Sequence, residues 1–303
     1  MKAVARVLKV SRSSLCVKLS AARASAGAAD SGPGPASAGG VKGLARVPRA
    51  RRSRPLTPPS TAADDAVLER IRPIVAKRPS YGYRPVTALL KREQPSQPVN
   101  HKRVYRIMKA AGLLLERCTG RSPRVHDGKI ITLKPNLRWC SDSFELRCWS
   151  GEKLQVAFAL DCCDREVLSY IATTGAITGE MIRDLMAESV ESRFGPGTTK
   201  VPGRIQWLSD NGPPYTATET RAFGADLGFI VCNSPPYSPE SNGMAEAFVK
   251  SFKRDYVYVN ELHDAAHVMA QLPAWFEDYN EIRPHKGLRM MSPREYRRLT
   301  AHG

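Results

Sequence analysis

From about Asn136 onward the chain switches repeatedly between two hydrophobic periods, and the order of the switches restricts the fold more than any other feature. Strand segments repeat every two residues and helical segments every 3.6. RWCSDSFELRCW alternates around Asp142, KLQVAFALDCC is a longer apolar run reaching Asp161, and EVLSYIATTG is a third β segment. GEMIRDLMAESVESRF then has helical spacing, with Met181, Leu185 and Met186 on one side. RIQWLSDNG reads as a strand, TATETRAFGADLG as a short helix and FIVCNSP as a fifth strand. Helices complete the chain, the last long one packing through Trp275, Phe276 and Tyr279. Three strands, a helix, a strand, a helix, a strand and further helices predict an α/β fold around a mixed five-stranded sheet.

The front of the chain carries a different signal. The formal net charge is +17 over 303 residues. Residues 1–62 hold twelve Lys/Arg against one acid, residues 63–135 sixteen against six, and residues 136–303 eighteen against twenty-two. A basic arm and module thus precede a mildly acidic body. Such a balance points to a polyanionic partner, nucleic acid ahead of a membrane surface. No apolar run approaches membrane-spanning length, so no membrane partner is expected. Seven cysteines, an odd number with no Cys-x-x-Cys pair, argue against a zinc ribbon or a disulfide framework. Reduced thiols in a cytosol fit them.

Four segments follow from these shifts. In residues 1–19, Ala5, Leu8 and Val10 precede a capping Ser11, as in part of a helix-turn-helix that would point Arg12 at DNA. A short amphipathic helix with a solvated basic face is an equal reading. Residues 20–62, rich in Ala, Gly, Ser and Pro, read as a disordered basic linker. Residues 1–54 also have the composition of a transit peptide, a reading ranked second. Residues 63–128 read as an all-α DNA-binding module. Its third helix is capped by Asn100, turns Val104, Ile107, Met108 and Leu113 inward, and leaves His101, Lys102, Arg103, Arg106 and Lys109 outward. Arg84, in the turn opening the second helix, joins Lys102, Arg103 and Arg106 as a candidate DNA contact. A spacer domain with a solvated basic helix is the rival reading. Residues 129–303 hold the body described above, with its terminal helices.

The chemistry concentrates in three acids of that body. Asp142 lies inside the first strand among Trp139, Phe144 and Leu146, an uncommon place for a carboxylate. Asp210 ends the fourth strand before Asn211-Gly212, which allows a tight turn near a ligand. Glu246 follows with thirty-five residues between, inside a helix. At about 100° per residue, Lys250 and Lys253 share the face of Glu246, while Ala245, Phe248, Phe252 and Tyr256 gather on another. Carboxylates brought together repel unless divalent cations share them, and a pair of such ions suits in-line phosphoryl transfer. Asp142, Asp210 and Glu246 are therefore the candidate catalytic and metal-ligating residues, with Lys253, Lys250 and Arg254 as candidate DNA contacts. Tyr215 is either a DNA contact or an ordinary surface group.

WCSDSFEL, LSDNGPPY and SPESNGMAEAFVKSFKRDY resemble the three blocks of the DDE recombinases, which include retroviral integrases and insertion-sequence transposases. The spacing and the lysine seven residues after Glu246 belong to that signature. YGYRPVTALL, KRVYRIMKAAGLLLER, FALDCCDRE and SPREYRR further resemble the integrase-like, second-frame transposase of two-frame bacterial insertion elements, from about residue 63 to 298. The resemblance implies a ribonuclease-H-like core, two Mg²⁺ or Mn²⁺ ions, and cleavage and joining of double-stranded DNA at element ends. It also implies a homo-oligomer on DNA and a fusion or partnership with the upstream-frame protein. Pro213-Pro214 and the bias of residues 20–62 depart from the pattern. A catalytically silent DNA-binding protein and a ribonuclease-H-type nuclease without strand transfer are the rival functions.

Other signals carry less. His263 and His267 mimic a zinc helix, but a third ligand is missing. Asp161 and Asp164 are expected to cap a turn, with Asp161 also a candidate to support the metal ligands. Trp139, Trp207, Cys162 and Cys163 are expected to be packing residues. Pro235-Pro236 and Pro239 to Gly243 are expected to form a mobile loop that positions Glu246 when DNA is bound.

Overall fold

The computed structural model describes residues 62–115, 132, 134–233 and 243–300. The readings of 1–19, with Arg12, and of the linker up to residue 61 lie outside them, as does the proline-rich loop before Gly243.

β1 (Arg138–Arg147), β2 (Lys153–Asp161) and β3 (Val167–Thr173) form an antiparallel meander. β4 (Ile205–Ser209) and β5 (Phe229–Asn233) join β1 in parallel, giving the order β3-β2-β1-β4-β5. Parallel strands need crossovers. α4 (Gly179–Phe194) supplies one between β3 and β4, and α5 (Thr218–Asp226) the other between β4 and β5. This mixed five-stranded sheet with helical crossovers fits the α/β element order, and it is the ribonuclease-H-like arrangement that the resemblance implies.

The two-residue period of β1 sorts its side chains between two cores. Trp139 faces one side, where Trp207 and Phe229 pack with Ile182, Leu185, Met186 and Val190 of α4. Leu185 and Met186 are buried as expected, whereas Met181 is only half-buried and Ile182 takes its place. Cys140, Phe144 and Leu146 face the other side with Leu208. α6 (Gly243–Phe252) and α7 (Ala265–Glu281) cover that face through Phe248, Phe252, Trp275, Phe276 and Tyr279. Trp139 and Trp207 are fully buried, as expected of packing residues.

Asp161 caps the β2–β3 turn, its Oδ1 accepting from the amides of Cys163 and Asp164. It pairs with Trp139, three residues before Asp142, and its carboxylate accepts from the Trp139 ring on the opposite face of the sheet. Its carboxylate is also part of a buried network with Asp164, Glu166 and Arg193. Arg294 and Arg297 of α8 (Pro293–Thr300) reach the same Glu166, tying the C-terminal helix to the sheet.

Three helices precede the sheet: α1 (Ala62–Lys77), α2 (Tyr83–Glu93) and α3 (His101–Ala110). Asn100 caps α3 by accepting from the Lys102 amide. Val67, Ile71, Val86, Leu90, Val104 and Met108 form their own core. Ion pairs and hydrogen bonds join them to the C-terminal elements: Arg78 to Asp278, Arg92 to Glu295, and Ser80 Oγ to Asp255 at 2.7 Å.

Arg193 pairs with three buried acids, and removing it from such a group leaves buried charge without compensation. Arg193→Leu is expected to lower stability by about 3–5 kcal/mol in urea unfolding. A loss under about 1 kcal/mol would show that the network does not hold the turn.

Candidate active site

The register of the parallel pair brings two acids level. Arg138, Trp139 and Cys140 stand opposite Gln206, Trp207 and Leu208. Continued by two residues, the same offset sets Asp142 beside Asp210, just where β1 and β4 part. Both have the parity of Cys140 and Leu208, so both sit on the sheet face that α6 covers. α6 carries Glu246 in its first turn.

Each acid is held differently. Asp142 is half-buried, and its Oδ1 accepts from the Ser143 amide at 2.7 Å. Burial pushes its pKa up to about 6; the Ser143 amide opposes this, and the charges of Asp210 and Glu246 add to it. Asp210 accepts from the Gly212 amide at 3.0 Å, and Asn233 Nδ2 donates to its carbonyl at 3.0 Å. A side chain at Gly212 would stand 3.0 Å from that same Asp210 oxygen, so the carboxylate would have to shift by a few tenths of an ångström to admit one. Pro213 and Pro214 open a one-turn helix, Pro213–Thr216, immediately after. Glu246 is 47% exposed and paired with Lys250 at 3.2 Å.

Among the described residues, no three His, Cys, Asp or Glu side chains converge closely enough to hold a metal ion. Backbone and electrostatics nevertheless bring the acids to one region, since the charges of Asp210 and Glu246 both reach Asp142. Glu246 is the long, exposed member, and its pairing with Lys250 keeps it apart. The donor set fits a hard divalent cation: it consists of carboxylate oxygens, and the charges acting on Asp142 are all negative.

Several expected contacts differ in the structure. Lys253 opens a π-helical turn, Lys253–Val257, that interrupts the α-helical face projected from Glu246. Its Nζ donates to the Glu145 carbonyl of β1 at 2.9 Å and lies over the Phe144 ring. Lys250 remains 79% exposed. Arg254 is exposed but engaged with Asp255. Tyr215 is no surface group: it is 4% exposed, and its hydroxyl meets Ser141 Oγ at 3.2 Å, tying the loop after Asp210 to β1. Its adjacency to buried Ser141 was invisible in sequence, and only its place in the Asp210 block singled it out. In the helical module Lys102, Arg106 and Arg84 are exposed, whereas Arg103 is paired with Asp64 at 2.6 Å. Asp264 caps α7 and His263 contacts Glu261, which accounts for the zinc-like pattern without a metal.

An HTH-like domain model matches residues 62–121, and two integrase core domain models match residues 132–239 and 229–293. The chain is 47% identical over 243 residues to transposase InsD for insertion element IS2A/D/F/H/I/K of Escherichia coli, covering 78% of this chain and 80% of that protein. Transposase InsD for insertion element IS2-9 of Escherichia coli K12 is likewise 47% identical, with 78% of each chain covered. Among solved structures, the catalytic core of BIV integrase is 19% identical, with a TM-score of 0.41 over 55% of this chain and 97% of that one.

The raised Asp142 pKa has a thermodynamic consequence. Its folded value, about 6, exceeds the ordinary 3.8, so the ionised carboxylate opposes folding. The penalty is absent below about pH 4, grows between about pH 4 and 6 and is constant above. In EDTA, Asp142→Asn is expected to be about 1–3 kcal/mol more stable than wild type near pH 8, with no advantage near pH 4. Equal thermal stability at both values would show that the carboxylate is not under this repulsion.

Proposed function

The chain belongs to the integrase-core transposases of bacterial insertion elements, and we propose that Asp142, Asp210 and Glu246 form its catalytic triad. The observation that carries this reading is the β1–β4 register, which sets Asp142 level with Asp210 on the sheet face beneath the Glu246 helix. Integrase-core enzymes work with divalent metal ions. Two Mg²⁺ or Mn²⁺ ions held by the three carboxylates would neutralise charge at the attacking and leaving oxygens of a phosphodiester.

The chain's own groups have distinct tasks. Asp142 must be ionised, which its raised pKa opposes until cations offset the neighbouring acids. Glu246 leaves Lys250 to join the two aspartates, freeing the lysine for the DNA backbone. Lys250 holds a phosphate beside Glu246 because it is exposed, whereas Lys253 and Arg254 would have to leave Glu145 and Asp255 to do so. Asn233 and Gly212 fix the carbonyl and carboxylate of Asp210. The basic faces of α2 and α3, with Arg84, Lys102 and Arg106, hold the same duplex farther along. DNA ends are cleaved by water, and the freed 3′-hydroxyl attacks a second phosphodiester. The protein acts in the bacterial cytoplasm as a homo-oligomer on two DNA ends, with the upstream-frame protein or fused to it.

Incubation with labelled element-end DNA and Mg²⁺ tests this. Wild type is expected to yield joined strands, and Asp142→Asn, Asp210→Asn and Glu246→Gln to lose them by on the order of a thousandfold while still binding DNA. Nicks without joined products would assign a nuclease. Binding without cleavage, with the upstream-frame protein present, would assign a silent DNA-binding protein.

A further inference from the structure

Two adjoining cavities, of about 490 and 360 Å³, share Arg84 and Met290 and form one trough. The start and outer face of α2 make one bank, and the segment 284–291 makes the other. One end of the trough reaches Ala247 and Ser251 of α6, roughly 100–140° around that helix from Glu246. The trough is therefore separate from the face that bears the three acids.

The segment 284–291 is a tight loop. The His285 amide donates to the Met291 carbonyl at 2.9 Å, and the His285 carbonyl accepts from the amides of Leu288 and Met290 at 3.0 and 2.8 Å. Leu288 is buried beneath the loop, while Lys286, Gly287 and Arg289 are exposed. Arg289 and Met290 both have positive φ, 56 and 68. L side chains avoid such a backbone unless their surroundings impose it. Arg92 of α2 helps to impose it by donating to the Met290 carbonyl at 3.2 Å. Arg165 lies against the Gly287 backbone, where any side chain would collide with its guanidinium.

Ion pairing is uneven here. Arg78, Arg92, Arg254 and Arg283, in or beside the trough, each hold a carboxylate. Asp255 and Glu295 line the trough and are both taken by these arginines. Arg84, Lys91, Arg165, Lys286 and Arg289 line it with no carboxylate partner among the described residues. Five like charges gathered by a constrained loop repel one another until an anion of matching extent lies among them.

We propose that this trough binds the phosphate backbone of duplex DNA, one strand passing from Lys286 over Arg84 to Arg289 and Lys91. A single small anion would engage one or two of the five cations, whereas a strand repeats its charge at every nucleotide and meets them in turn. Arg84, Lys91, Lys286 and Arg289 are exposed, so a convex backbone reaches them without entering the cavities. Arg84 and Lys91 belong to α2, and the track carries the basic face of the helical module onto the loop that precedes α8. The inference rests on the reading of the chain as an enzyme of DNA, but its test needs neither metal nor strand transfer.

The full-length protein in EDTA would be titrated with a labelled duplex at several salt concentrations. The slope of log affinity against log salt counts the phosphates neutralised. Lys286→Ala with Arg289→Asn removes two charges, and Asn tolerates the left-handed backbone. This double variant is expected to bind roughly tenfold more weakly and to lose about two units of slope, with thermal stability unchanged. Lys200→Ala with Arg221→Ala removes the same charge from exposed positions outside the trough and is expected to leave the slope unchanged. Lys91→Ala, on the opposite bank, should lose about one unit and serves if the loop variant unfolds. Wild-type slope in the folded trough variants, or an equal loss in the Lys200 and Arg221 control, would overturn the proposal. Polyglutamate competing as well as duplex DNA would overturn it in favour of an acidic protein partner. Failure of strand joining, with the slopes as expected, would count against the catalytic reading alone.

Discussion

Three backbone pairings between β1 and β4 determine what the rest of the molecule can do. Because Trp139 stands opposite Trp207 and Cys140 opposite Leu208, the next pair of the same parity is Asp142 and Asp210. Strands lie about 4.8 Å apart, so this register alone draws two carboxylates together. A slip of one residue would send one of them into the opposite core, among Trp207, Phe229 and α4. The stacked contact of Trp139 with Phe194 and its edge-on contact with Phe229 hold the register from the other face.

The third acid depends on packing rather than on register. Phe248 meets Phe158 with ring centroids 4.4 Å apart, and Phe252 meets Phe144 at 5.8 Å. These contacts lay α6 across β1 and β2, and the Lys253 bond to the Glu145 carbonyl fastens its end. Glu246 thus has a packed helix beneath it and an exposed carboxylate paired with Lys250, while Asp142 and Asp210 accept from neighbouring amides. An arrangement of two held acids and one movable acid is repulsive until a cation neutralises it. Burial raises the pKa of Asp142, and the charges of Asp210 and Glu246 add to that rise.

Much of this was legible in the sequence. The order of periods gave the sheet and its crossovers, because each strand and helix is long enough to show its own repeat. The three acids stood out because carboxylates at strand ends and on a polar helix face interrupt otherwise apolar patterns. What could not be read were relations between distant residues. Tyr215 looks like a surface tyrosine until its contact with Ser141, across two strands, is known. Lys253 falls on the Glu246 face of an ideal helix, but a π-turn begins at that residue and sends its ammonium to β1. Arg103 reads as one more outward cation until Asp64 is seen beside it. Asp161 looks like a companion of Asp142, yet its pairing with Trp139 sets its carboxylate on the other face of the sheet.

The central claim is that the three acids share divalent cations, with Glu246 moving from Lys250 to join them. Anomalous diffraction from the protein bound to Mn²⁺ and DNA tests it most directly. The account predicts Mn²⁺ peaks coordinated by Asp142 together with Asp210 and Glu246, and Glu246 separated from Lys250. Mn²⁺ bound elsewhere, or bound at the aspartates while Glu246 stays on Lys250, would contradict it.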